Sequence, residues 1–129
     1  MGRHRMKLTG IHHSSIVVTN MERARHFYGQ VLGLSEVERP SNFTNPVRWF
    51  EVGDEHIHLI PSDRPDTTSP RHFALHVDDA DAAREHFRTH GIAIQETEPI
   101  AGADRFFISD PDGNTIEIIH WFKRWEGNQ

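Results

Sequence analysis

The stretch His13–Tyr28 reads HSSIVVTNMERARHFY, and 59 positions further on His72–Phe87 reads HFALHVDDADAAREHF. The same displacement lays IHLI, Ile57–Ile60, on IEII, Ile116–Ile119. The chain therefore contains a faint copy of itself, and one copy predicts the other. The first opens with IHHSSIVV, residues 11–18, a β-rich alternating run that reads as a strand. Asn20 then suits the N-cap of a helix over MERARHFYGQVL, with Met21, Ala24, Phe27, Tyr28 and Val31 at helical spacing and Gly33 as its left-handed stop. Strands near 34–38, 47–52 and 56–60 follow, the last two joined by the turn Gly53–Asp54. The unit is β-α-β-β-β.

PSDRPDTTSP, Pro61–Pro70, reads as a linker. Beyond it the pattern returns as a strand at 71–77, a helix near 80–90 ended by Gly91, strands at 92–98 and 104–108, the turn DPDGN at 110–114 and a strand at 115–121. Because the second turn looks two residues longer than the first, Phe50 is matched with Phe107 at a displacement of 57, which also makes Arg48 and Arg105 equivalents. Two half-domains of roughly sixty residues are each marginal alone, so they should share a core or a sheet. The expected organisation is a lead-in at 1–10, one α+β domain at 11–121 (module one 11–60, linker 61–70, module two 71–121) and a tail at 122–129.

Composition narrows the function. With 14 Lys and Arg against 19 Asp and Glu, the net charge of −5 argues against a nucleic-acid partner. No apolar run approaches the ~20 residues that span a membrane, and MGRHRMKLTG has no apolar stretch behind its charges, so the chain reads as cytoplasmic. The absence of cysteine excludes a thiolate metal site, a disulfide framework and a cysteine nucleophile. Eleven histidines, in contrast, supply both metal ligands and proton carriers near neutral pH.

The repeat pairs His13 with His72 and His58 with Glu117, so four positions related by one displacement all carry metal-binding side chains. Strand alternation puts His13, Ser15 and Val17 on one face, as it does His72, Ala74 and His76, with the more apolar set turned toward the helix. In the closing strands His56, His58 and Ile60 share a face, as do Thr115, Glu117 and Ile119. Three imidazoles and a carboxylate suit Zn, Ni, Co, Mn or Fe and leave room for water or substrate. His56 and His76 share the same faces and are candidate proton carriers beside Glu117. His12, His26, His86, His90 and His120 read as surface or packing residues.

These motifs, together with FYGQVLGL and DPDGNTIEI, resemble the vicinal oxygen chelate superfamily of glyoxalases, extradiol dioxygenases, fosfomycin-modifying enzymes and bleomycin-binding proteins, over residues 10–121. The resemblance implies paired βαβββ modules in a curved mixed sheet around a divalent metal. His13, His58, His72 and Glu117 stand at its ligand positions, with His58 where bacterial glyoxalase I has a second glutamate. That leaves Glu117 as the carboxylate to move a proton. The implied activity is a glyoxalase-like lyase or isomerase on a small substrate whose neighbouring oxygens chelate the metal. The alternatives are a ferrous extradiol-type dioxygenase, a fosfomycin-type thiol transferase, in which Ser15 supplies the hydroxyl, and an antibiotic-sequestering protein. For the last, Phe43, Trp49, Phe50, Phe106, Phe107 and Trp121 are available to line a cleft. Edge strands in so small a protein favour a homodimer, with the ligands meeting within one chain or between two. Specificity is expected in the loops 39–47 and 99–105 and in the tail.

Overall fold

The computed structural model describes residues 6–39, 46–66 and 70–122. The first five residues, most of the loop 39–47 with Phe43, part of the linker and residues 123–129 of the tail lie outside the described residues. Module one comprises β1 (His13–Val18), α1 (Met21–His26) running into a π-helical turn (Phe27–Val31), β2 (Ser35–Val37), β3 (Arg48–Val52) and β4 (Glu55–Pro61). Module two comprises β5 (Phe73–His76), α2 (Ala80–Thr89), β6 (Gln95–Glu96), β7 (Ala103–Ser109) and β8 (Thr115–Trp121). Each forms a four-stranded mixed sheet, in the orders β1-β4-β3-β2 and β5-β8-β7-β6, with the outer pair parallel and the hairpin antiparallel. The fold is an α+β arrangement of two tandem modules, consistent with a curved sheet.

The two helices start alike. The Asn20 side chain accepts from the Arg23 amide and that of Asp79 from the Ala82 amide, both at 3.0 Å. They end differently. In α2 the chain stops at Gly91, φ +72°, and the Ile92 amide returns to the Phe87 carbonyl at 2.8 Å. In module one Gly33, φ +76°, does the same work, yet Leu34 reaches back six residues to Tyr28. One additional residue precedes this stop, and the π turn absorbs it. The displacement between modules thus falls from 59 to 58 at the glycines.

This corrects the expected equivalences. Trp49 pairs with His58 and Phe107 with Glu117, so Trp49 corresponds to Phe107, at a displacement of 58. Phe50, opposite Ile57, corresponds to Ile108, opposite Ile116. Arg48 accordingly matches Phe106, and the counterpart of Arg105 is Val47. Strand ends also differ from expectation. β4 runs on to Pro61, β5 begins only at Phe73, and the strand expected at 92–98 contracts to two residues, because the Ile92 amide is committed to the helix stop and Pro99 has no amide hydrogen.

One core joins the modules. Tyr28, Phe50, Ile57 and Leu59 pack in the same buried cluster as Phe87, Phe106, Ile108, Ile116 and Ile118. Polar contacts cross the same boundary. The buried Tyr28 hydroxyl donates to Asp110 at 2.9 Å, and Asp112 takes the Thr19 hydroxyl, its amide and Arg23. Asn114 donates to the Val17 carbonyl at 2.9 Å, and His86 donates through Nε2 to the Val31 carbonyl at 2.6 Å. Burial pushes the Tyr28 pKa up, reinforced by the charge of Asp110. On the outer side of module two Arg84 binds Asp104, Glu96 and Asp81, and the hydrogen bonds to Asp104 and Glu96 raise its pKa. Among the described residues no helix is long and apolar enough to cross a membrane.

Candidate metal half-sites

The face of each sheet away from the helices carries the candidate ligands. In module one His13 and His58 stack nearly parallel, with ring centroids 3.9 Å apart, and Trp49 stacks on His58 at 4.8 Å. The arrangement follows from register: Trp49 is the cross-strand partner of His58 on β3, and Ser15, two residues along β1 from His13, faces His58 from the other side. His58 is 9% exposed, and its Nε2 is buried with no hydrogen-bond partner. Burial first, then the neighbouring imidazoles of His13, His56 and His12, bring its pKa down to about 4. A neutral imidazole with an unclaimed nitrogen is the form that ligates a metal.

His56 lies on the same face, 5.7 Å from His58 between ring centroids, and its buried Nδ1 has no partner. His12 is exposed, as expected, and its ring also borders the group. Its Nδ1 lies 2.9 Å from His13 Nδ1 and its ring 5.7 Å from that of His56. His12 precedes the first residue of β1, and its carbonyl accepts from the His56 amide at 3.0 Å. With His13 Nδ1 engaged by His12, Nε2 is the His13 nitrogen left for a ligand.

In module two His72 Nε2 lies 3.1 Å from Glu117 Oε1, and His72 Nδ1 lies 3.1 Å from the Pro70 carbonyl. A carbonyl only accepts, so Nδ1 donates there, and Nε2, on the Glu117 side, is the nitrogen that would take an ion in place of a proton. His72 sits just before β5, and Glu117 is 9% exposed between the core residues Ile116 and Ile118. Phe107 meets the His72 ring edge-on at 5.2 Å, in the place that Trp49 holds in module one. Arg105 Nη1 approaches Glu117 Oε2 at 3.5 Å. His76 is not brought to this pair. Its Nε2 accepts from the Trp121 amide at 3.1 Å, and its ring meets His120 at 5.9 Å. Of the cleft aromatics, Phe50 and Phe106 lie in the core instead, because the corrected register turns them toward the helices.

The donor set fits a divalent metal: uncommitted imidazole nitrogens in one module, a fixed imidazole and a carboxylate in the other. The two pairs remain separate within the chain. Among the described residues no three His, Asp or Glu side chains converge as metal ligands would. The groove between the modules, about 190 Å³, includes His72 and Ser15 in its lining but not His13, His58 or Glu117.

Comparison with known proteins agrees with this architecture. The chain is 31% identical over 124 residues to the uncharacterized protein YaeR of Escherichia coli K12, covering 86% of this chain and 95% of the relative. It is 27% identical to the probable lactoylglutathione lyase of Vibrio cholerae, covering 83% of this chain and 87% of that protein. A solved structure from Bacillus anthracis, described as a glyoxalase family protein, superposes with a TM-score of 0.82 at 28% identity, covering 91% of this chain and 98% of that one. Residues 10–118 match the model of one family. The chain belongs to the Glyoxalase/Bleomycin resistance protein/Dioxygenase superfamily.

Proposed function

We propose that this protein is a divalent-metal-dependent lyase or isomerase of glyoxalase type, acting on a small substrate that presents two neighbouring oxygens. We further propose that the site is assembled between two copies of the chain, His13 and His58 of one meeting His72 and Glu117 of the other. The observation that carries the reading is the pairing of ligand-type side chains at repeat-equivalent positions in each module, without convergence of the pairs within the chain. A homodimer would satisfy both half-sites at once, since a twofold axis that completes one completes the other.

In this site His13 Nε2, His58 Nε2, His72 Nε2 and Glu117 would hold the ion, which supplies Lewis acidity to substrate oxygens. Glu117 carries the proton. One of its oxygens faces His72 Nε2 and the other faces Arg105 at 3.5 Å, so its carboxylate is oriented from both sides. Taking a proton from a carbon next to a polarised oxygen and returning it to the neighbouring carbon is a transfer that one carboxylate performs alone. His56, whose Nδ1 is unclaimed, is the second proton carrier. The stacked Trp49, His58 and His13 wall the site and limit the entry of water. The relative named as a probable lactoylglutathione lyase is matched over 87% of its length, against 46% for the relative named as a catechol-2,3-dioxygenase, which supports the isomerase or lyase reading.

The test is metal content and turnover together. Metal-loaded protein should convert the methylglyoxal–glutathione hemithioacetal or a related adduct, with metal and turnover both falling in His72→Ala and Glu117→Ala. A protein that takes up no divalent metal on reloading would overturn the reading in favour of ligand sequestration, and ring cleavage by iron-loaded protein would replace it with the dioxygenase.

A further inference from the structure

We infer that Arg105 is the anchor for an oxyanion group, such as a carboxylate, on the substrate received beside Glu117. The inference rests on the functional reading above and deepens it by assigning the substrate a negative charge.

Two arginines of module two make the contrast. Arg84, on the helix side of the sheet, has Nε, Nη1 and Nη2 each paired with a carboxylate oxygen at 2.7–3.0 Å. That is a completed structural ion pair. Arg105 lies on the opposite face of β7, with Phe107 beneath its guanidinium at 5.8 Å. Nη2 donates to the Glu98 carbonyl at 3.2 Å, Nη1 reaches Glu117 only at 3.5 Å, and Nε is buried with no acceptor. A guanidinium so placed keeps donors to spare, in the planar fork that matches a carboxylate bidentately. The unsatisfied Nε favours any state in which an acceptor arrives.

The fold does not ask for arginine here. The corrected register makes Val47 the module-one counterpart of Arg105, and Val47 is buried and apolar. Charge favours the same conclusion. A divalent ion held by neutral imidazoles and one carboxylate keeps one positive charge, and Arg105 adds a second. A substrate that chelates through neutral oxygens alone would leave that charge uncompensated in a partly buried site. One that also carries an oxyanion group compensates it and fills the donor gap.

The probes are acetohydroxamate, which chelates through two neighbouring oxygens, and malonohydroxamate and succinohydroxamate, which add a carboxylate on one or two methylenes. Binding to the zinc-loaded protein is measured by calorimetry in the native chain and in Arg105→Gln and Arg105→Lys, after circular dichroism shows that each variant is folded. At least one carboxylated hydroxamate should bind about ten-fold or more tighter than acetohydroxamate. That advantage should vanish in Arg105→Gln and be partly kept in Arg105→Lys. Equal binding of all three probes, or an advantage that survives Arg105→Gln, would overturn the inference. If no hydroxamate binds, the chelate reading falls instead. The anchor is then judged on metal-free protein by titrating succinate against the Arg105 Nε–H signal in ¹⁵N NMR, assigned by its loss in Arg105→Lys: a saturable shift of that signal keeps the oxyanion site, and no shift overturns it.

Discussion

Replacing Tyr28 by Phe isolates one of the hydrogen bonds that tie the modules together. The Tyr28 ring is fully buried and fills the same space as Phe, so only the hydroxyl is lost. That hydroxyl donates to Asp110 Oδ2 at 2.9 Å. Asp110 is 5% exposed and keeps three other donors, the amides of Asp112 and Asn114 on Oδ1 and the Asn114 side chain on Oδ2. A hydrogen bond to a buried charged acceptor contributes about 1.5–3 kcal/mol. Because the Asn114 side chain still serves Oδ2, the cost should fall toward the lower half of that range, about 2 kcal/mol. For a chain of this length that lowers Tm by roughly 6–10 °C. Asp110→Ala should cost more, about 3 kcal/mol or above, since it strands the buried hydroxyl and removes the acceptor that shapes the turn. Urea unfolding at one fixed protein concentration measures both variants and the double mutant. The cycle should return a coupling close to the whole Tyr28→Phe loss, with m unchanged. A Tyr28→Phe loss below about 0.5 kcal/mol, or a loss undiminished in the Asp110→Ala background, would refute the claim that this bond links the modules.

Further outcomes follow from other contacts. The raised Tyr28 pKa adds stability that is present below the ordinary tyrosine value of about 10 and is lost as pH climbs beyond it, so the gap between native and Tyr28→Phe protein should narrow in alkaline unfolding titrations. Asp104 behaves oppositely. The hydrogen bonds from Arg84 hold its pKa low, so its contribution is present above about pH 4 and fades as pH falls through the depressed value; Asp104→Asn should flatten that part of the acid titration. Arg84→Ala should cost about 1 kcal/mol in thermal melts, since its carboxylate partners are largely solvated. Gly33→Ala, at φ +76°, should cost about 1–2 kcal/mol in the same assay, a penalty absent if the π turn relaxes to accommodate it.

Much of this structure was legible in the residues. The repeat announced two modules, Asn20 and Gly33 marked one helix, Gly91 stopped the other, and strand alternation put Ile57, Leu59, Ile116 and Ile118 in the core with His58 and Glu117 on the other face. The errors share a cause. A displacement read from residue likeness alone cannot detect one residue absorbed inside a helix. The π turn at Phe27–Val31 takes the displacement from 59 to 58. A second hairpin one residue longer than the first, not two, restores 59 at the closing strands, which leaves Phe50 and Phe106 facing the core. Only hydrogen-bond register exposes that slip. The separation of the ligand pairs had no signal in the sequence, since residue order is the same whether the modules complete a site within one chain or with a second copy.

The measurement that tests the account most directly is complementation between two dead chains. One carries His13→Ala and His58→Ala, the other His72→Ala and Glu117→Ala. Each alone should bind essentially no zinc or nickel, whereas the native protein binds about one ion per chain. When the two are co-expressed with different tags and the mixed pair is isolated, the account predicts about one ion per pair, because a single site regains all four ligands. A mixed pair as empty as its parents, beside native protein that binds metal, would contradict a site shared between copies.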